Sequence, residues 1–102
     1  MCFGTYEGIE NSFEIPDCPI NVLFKDPVNY IPVENGESFE QLFARTGEFL
    51  EQAVRPQLED GKDVLIVGHG AMNSSIVCQI KNEPLENFWK AGIKNCKLMK
   101  LI

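Results

Sequence analysis

The chain holds one histidine, His69, and a glycine stands on each side of it. Four apolar residues, Val64-Leu65-Ile66-Val67, run directly into Gly68-His69-Gly70. A short, unbroken, mostly β-branched run reads as a strand buried on both faces. A helical pattern follows the second glycine. His69 is therefore expected at the carboxyl end of a strand, where it turns into a helix. In open α/β sheets that is where ligands bind. The first amides of a helix are free and point at whatever lies there, which favours an anion. Two readings of His69 stand on local sequence alone: a hydrogen-bonded turn residue, or a group that meets a ligand. The flanking glycines allow a backbone or ligand to come close.

No metal-binding pattern accompanies this histidine. The four cysteines, Cys2, Cys18, Cys78 and Cys96, show no C-x-x-C spacing, and no second His is available. No metal or cofactor is expected. The cysteines read as reduced, mostly buried thiols of a cytoplasmic protein, with a secreted domain holding two disulfides as the alternative. The net charge of -6 lacks the basic footprint that nucleic acid or an anionic membrane requires. It leaves room for a small phosphorylated ligand held by a local positive site. No signal-peptide pattern opens the chain, and no apolar run nears the about 20 residues that span a bilayer. With 102 residues, the chain is one domain at most.

Several elements would have to position His69. Ser38 to Leu58 carries the clearest helical pattern, with Phe39, Leu42, Phe43, Phe49, Leu50, Ala53 and Val54 on one face. Ser38 and Gln41 have the spacing of a capping box, Pro56 interrupts or kinks the helix, and Gly61 closes it. A second helix is expected over about 72–80, and a short one opens at Pro84 and runs through Phe88 and Trp89. Residues 96–102 read as a last strand, with Lys97 and Lys100 marking it as an edge. The stretch Ile9 to Asn35, punctuated by Pro16, Pro19, Pro27 and Pro32, reads as a long excursion with one or two short helices. Apolar residues at Ile20, Val22, Leu23 and Phe24 fit a short helix or a short strand.

Helix, strand, helix, strand is the order of an α/β fold with a parallel sheet. Only two strands are clear, and the one before His69 needs neighbours on both sides. The first eight residues are apolar, aromatic and glycine-rich, unlike a loose terminus. Residues 1–102 therefore read as a single, incomplete domain, the carboxyl-terminal part of a larger one. Self-association is expected from the unpaired edges and apolar surface this leaves.

Along the chain come Phe3-Gly4-Thr5-Tyr6-Glu7-Gly8, Asp26-Pro27 with Tyr30, Gly36-Glu37-Ser38 opening a helix that contains Arg45, Val64 to Gly70, Phe88-Trp89, and Asn95-Cys96. This order of motifs resembles the histidine phosphatase superfamily, the phosphoglycerate mutase-like fold. The resemblance implies a partial three-layer α/β/α fold with a mainly parallel sheet. It also implies phosphoester hydrolysis or phosphoryl transfer through a phosphohistidine. The family's nucleophile is the His of an Arg-His-Gly motif, which this chain lacks. Its acid/base Glu would fall one residue before Met1. His69 matches the family's second histidine, which stabilises the transferring phosphoryl group rather than attacking it.

By the same match, Gly70 and Ala71 contact phosphate through the turn, with the Ala71 N–H a direct contact. Phe3 faces the substrate pocket or the core, and Asn73 stands near where relatives carry an Arg. Glu7 takes a structural role, and Arg45 and Arg55 are given no phosphate. The chain alone is then expected to be inactive. The alternative is a truncated, non-catalytic phosphate-binding or protein-interaction module. An α/β-hydrolase is excluded, because Gly68-His69-Gly70-Ala71-Met72 has no Ser at the centre of a nucleophile elbow.

Overall fold

Ser38 starts the helix that organises the molecule. Its hydroxyl accepts from the Gln41 N–H (3.1 Å), and the Gln41 side chain accepts from the Ser38 N–H (2.9 Å). This reciprocal box satisfies two backbone donors that a helix start leaves open. In the computed structural model, which describes residues 1–8 and 18–101, the helix runs as α2, Phe39–Phe49. It continues without a break through a π-helical turn, Leu50–Val54, into α3, Arg55–Glu59. Pro56 has no N–H to give and crowds the preceding turn. The wider register just before it, with the Arg55 N–H donating to the Leu50 carbonyl, accommodates the proline inside the rod. Gly61 ends the rod at φ +77°. Its N–H reaches the Leu58 carbonyl and the Lys62 N–H reaches that of Gln57, a Schellman closure.

The remaining helices pack around this rod. α1 is Ile20–Lys25, so the undecided apolar group at 20–24 is a helix. Part of the expected excursion, residues 9–17, lies outside the described residues. α4 is Gly70–Lys81, ending on Asn82 in the left-handed conformation. α5 is Phe88–Ala91, entered through a single 3-10 turn at Leu85–Asn87. The core joins Leu23 of α1, Phe39 and Leu42 of α2, Cys78 of α4 and Phe88 of α5, with Tyr30 from the intervening loop. Phe88 is fully buried and meets Phe39 edge-to-face at 4.8 Å, with Phe43 and Trp89 at 6.0 and 4.9 Å. Val54 is buried outside this cluster, beside Ile76 and Val77, whereas Phe49 is 43% exposed.

α2 and α4 are also joined by polar groups. Gln79 Nε2 donates to Thr46 Oγ1 at 2.7 Å, Ser75 Oγ lies 3.1 Å from the same oxygen, and the Thr46 hydroxyl donates to the Leu42 carbonyl. Thr46 and Ser75 are buried, and each finds the partner that burial demands.

The expected α/β/α architecture with a mainly parallel sheet is not what the chain forms. Among the described residues there are helices and turns but no strand. The one β-type contact is an isolated antiparallel bridge between Phe3 and Gly36. Residues 62–69 run without regular structure, and so do 97–101. The apolar run before His69, read as a strand buried on both faces, lies open. Leu65 is 71% and Val67 83% exposed. The physical reason is pairing. A strand satisfies its N–H and C=O groups only through a neighbour. No backbone hydrogen bond reaches 63–67 among the described residues. The other irregular stretch, 97–101, lines the same groove.

Candidate functional site

His69 is the N-cap of α4. Its backbone is extended (φ -106°, ψ 172°), and its carbonyl accepts the first helical bond, from the Asn73 N–H at 2.9 Å. The amides of Gly70, Ala71 and Met72 precede that first bond and so have no acceptor within the helix. The imidazole makes no capping bond and is exposed. The turn thus presents one imidazole and a set of free amides at the positive end of a twelve-residue helix.

Asn73 holds this turn in shape. Its side-chain amide donates to the Gly68 carbonyl at 2.9 Å. A side chain at Gly68 would meet the ends of the Met72 and Asn73 side chains, which would have to shift to admit it. Gly70 is open except toward Trp89, whose ring lies 3.9 Å from where a Cβ would sit. Trp89 is itself fixed, with its indole N–H donating to the Leu23 carbonyl (2.7 Å) and its ring stacked on Phe24 at 5.0 Å. An aromatic wall therefore stands beside the His69 turn. The sequence pairs Phe88 with Trp89, and only the packing separates a buried Phe88 from a Trp89 at the turn.

The other expected site residues divide. Gly70 and Ala71 open α4 directly after His69, and Ala71 packs against the core. Phe3 also packs against that core cluster and bridges to Gly36. The Glu7 carboxylate accepts from the Phe3 N–H at 2.6 Å and closes the turn at Gly4–Tyr6. Neither arginine is spare. Arg45 grips Glu37 with two bonds of 3.0 and 3.1 Å, and Arg55 pairs with Glu51 at 2.9 Å. Glu37 also accepts from the Cys2 N–H at 3.2 Å. The Arg45 guanidinium, more than any other group, holds the Glu37 carboxyl below the usual carboxylate range.

Among the described residues no group of three or more His, Cys, Asp and Glu side chains is placed to hold a metal ion. No described helix is long and apolar enough to cross a membrane. All four cysteines are free thiols, Cys18 and Cys78 buried and Cys2 and Cys96 exposed. Burial is the main cause that pushes the Cys78 thiol pKa up.

Comparison with known proteins bears on what such a turn is for. No solved structure matches the chain. A protein of Hydrogenobacter thermophilus named "Putative phosphoserine phosphatase 2" is 29% identical over 104 residues. The match takes in 99% of this chain and 49% of that protein, so the chain spans about half the length of the curated relative it matches. The model of the histidine phosphatase superfamily (branch 1) matches residues 1–102. With that match running from the Phe3-Gly4 turn through the His69 turn to the last residue, the chain belongs to the histidine phosphatase superfamily.

Proposed function

We propose that this chain supplies the second-histidine part of a histidine phosphatase site, acting on a small phosphomonoester. The observation that carries the reading is the placement of His69. It is an exposed imidazole at the start of α4, beside amides with no helical acceptor. Phosphoryl transfer spreads negative charge over the non-bridging oxygens of the moving group. Donors already aimed at that charge lower the barrier without reorganising. The imidazole N–H of His69 and the amides of Gly70 and Ala71 are donors of this kind. Asn73 acts through the turn, as a positioning residue, because its side chain is committed to Gly68.

The covalent step needs a nucleophile. The family's nucleophilic histidine has no counterpart here, since His69 is the one histidine present. The 102-residue chain is therefore proposed to bind phosphate without turning over phosphoesters. Phosphoserine is the first ester to try, on the strength of the relative's name.

Inorganic phosphate titrated into the labelled chain should shift the amide resonances of Gly70, Ala71 and Met72. His69→Ala should weaken that response by roughly tenfold, the scale of one lost charge-assisted hydrogen bond. Hydrolysis of p-nitrophenyl phosphate should stay at the buffer rate. Turnover that disappears in His69→Ala would overturn the inactive reading. Shifts that are absent, or unchanged in His69→Ala, would overturn the phosphate reading.

A further inference from the structure

The mouth of α4 has an aromatic side chain beside it. Gly70 is exposed, and the point where its Cβ would sit is open except toward Trp89, whose Cζ3 lies 3.9 Å away. The Cα–Cβ bonds of a helix tilt toward its N-terminus. A ring beside that point therefore flanks the end of α4 where the amides of Gly70, Ala71 and Met72 open, rather than the body of the helix.

Three contacts hold this ring. Its indole N–H donates to the Leu23 carbonyl at 2.7 Å, Phe24 stacks on it at 5.0 Å, and Phe88 meets it edge-to-face at 4.9 Å. Nε1 belongs to the five-membered half of the indole and Cζ3 to the six-membered half. The polar edge is thus anchored on α1, and the carbon edge is turned to Gly70. Trp89 is partly exposed, so its ring is not wholly absorbed by the core. With its one polar group taken, it offers a ligand carbon surface. A charged group set against that surface would lose water and gain no hydrogen bond. An apolar group would gain by the area it covers.

We propose that Trp89 is a specificity-determining residue of this site. Its carbon edge receives the organic group of the phosphoester and selects an apolar one, such as an aryl group, over a charged one. The proposal rests on the phosphate reading of the His69 turn. It makes phosphoserine, with its ammonium and carboxylate, the poorer ester for the surface this chain presents.

Inorganic phosphate, phenyl phosphate and phosphoserine, each titrated into the labelled chain and read at the Gly70, Ala71 and Met72 amides, test it. Phenyl phosphate should bind roughly fivefold tighter than inorganic phosphate, the scale of covering part of one ring. Phosphoserine should gain nothing over inorganic phosphate. The phenyl protons of the bound ester should show nuclear Overhauser effects to the indole of Trp89, which is the one tryptophan in the chain. Trp89→Leu, too short to reach Gly70, should bring phenyl phosphate and inorganic phosphate to the same affinity. Should that variant not fold, the Overhauser effects in the parent decide alone. Amides that answer phenyl phosphate and inorganic phosphate alike would overturn the proposal and leave the phosphate reading standing. So would a tighter phenyl phosphate whose ring makes no contact with Trp89, or phosphoserine binding tighter than phenyl phosphate. Amides silent to all three would overturn the phosphate reading, and the proposal with it.

Discussion

Glu37 is the residue on which the N-terminal segment hangs. Its carboxylate takes two bonds from Arg45, one from the Cys2 N–H, and lies 3.9 Å from the Met1 ammonium. The pKa of this carboxyl is depressed in the folded chain. Its stabilising contribution is therefore present above the ordinary carboxylate pKa and is lost as pH falls through the lower, folded value. Urea unfolding at neutral and acid pH should show the parent losing stability across that window and Glu37→Gln losing less. Equal acid losses in the two proteins would refute the role. Arg45 is more than half exposed, so solvent screening keeps the effect modest. Tyr30 is the opposite case. Among the described residues its buried hydroxyl has no hydrogen-bond partner, and burial pushes its pKa up. The nearby Val33 backbone offsets part of that rise without completing a well-formed bond. The ring still meets Phe39 edge-to-face at 5.8 Å. Tyr30→Phe keeps the ring contact and removes the orphaned group, and it should raise stability by about 1 kcal/mol in the same urea assay.

Helices here are fixed at their ends and across their faces by identifiable groups. Ser38→Ala removes the cap of α2 and should cost about 1 kcal/mol. Thr46→Val is close in shape but deletes the oxygen that receives Gln79 and faces Ser75. With those buried groups left short of a partner, it should cost about 1–3 kcal/mol. The two glycine turns should separate cleanly. At Gly61 a side chain has open space and meets only the strain of positive φ, about 1–2 kcal/mol for alanine. At Gly4, also at positive φ, it would run into the backbone of Glu34, Asn35 and Gly36. Gly4→Ala should therefore cost more than Gly61→Ala in equilibrium unfolding. It should also release the segment that bonds Thr5 to Glu34 and Glu37 to Cys2.

The whole molecule is elongated, 49 by 25 by 25 Å, with a radius of gyration of 14.9 Å. A compact domain of this length has about 13 Å. The buried aromatic cluster meets the rod at α2, through Phe39 and Phe43. Phe88 joins α5 to α2 at the centre of that cluster. Phe88→Ala should cost about 3–5 kcal/mol. For a small domain that is most of the folding free energy. The variant should lose its near-ultraviolet dichroism and unfold without a sharp transition. A sharp transition near the parent's would mean that the core lies elsewhere.

Local order is where the sequence by itself determined the most. The Ser38–Gln41 box, Gly61 as terminator, the helix after His69 and the short helix after Pro84 all follow from groups within a few residues of one another. Such interactions form whatever the rest of the chain does. The motif order that carries the family is of the same kind, being read along the chain, and the family match confirms it. The fold class was not legible in this way. Val64 to Val67 has the composition of a buried strand, but a strand exists only when a second one lies beside it, and composition cannot supply that neighbour. Tertiary structure alone decided that 63–67 and 97–101 form no strand. It alone placed the Trp89 ring beside Gly70, committed Asn73 to Gly68, and buried Thr46 and Ser75 against Gln79. Each of these joins residues far apart in sequence or depends on which way a side chain turns in the packed chain.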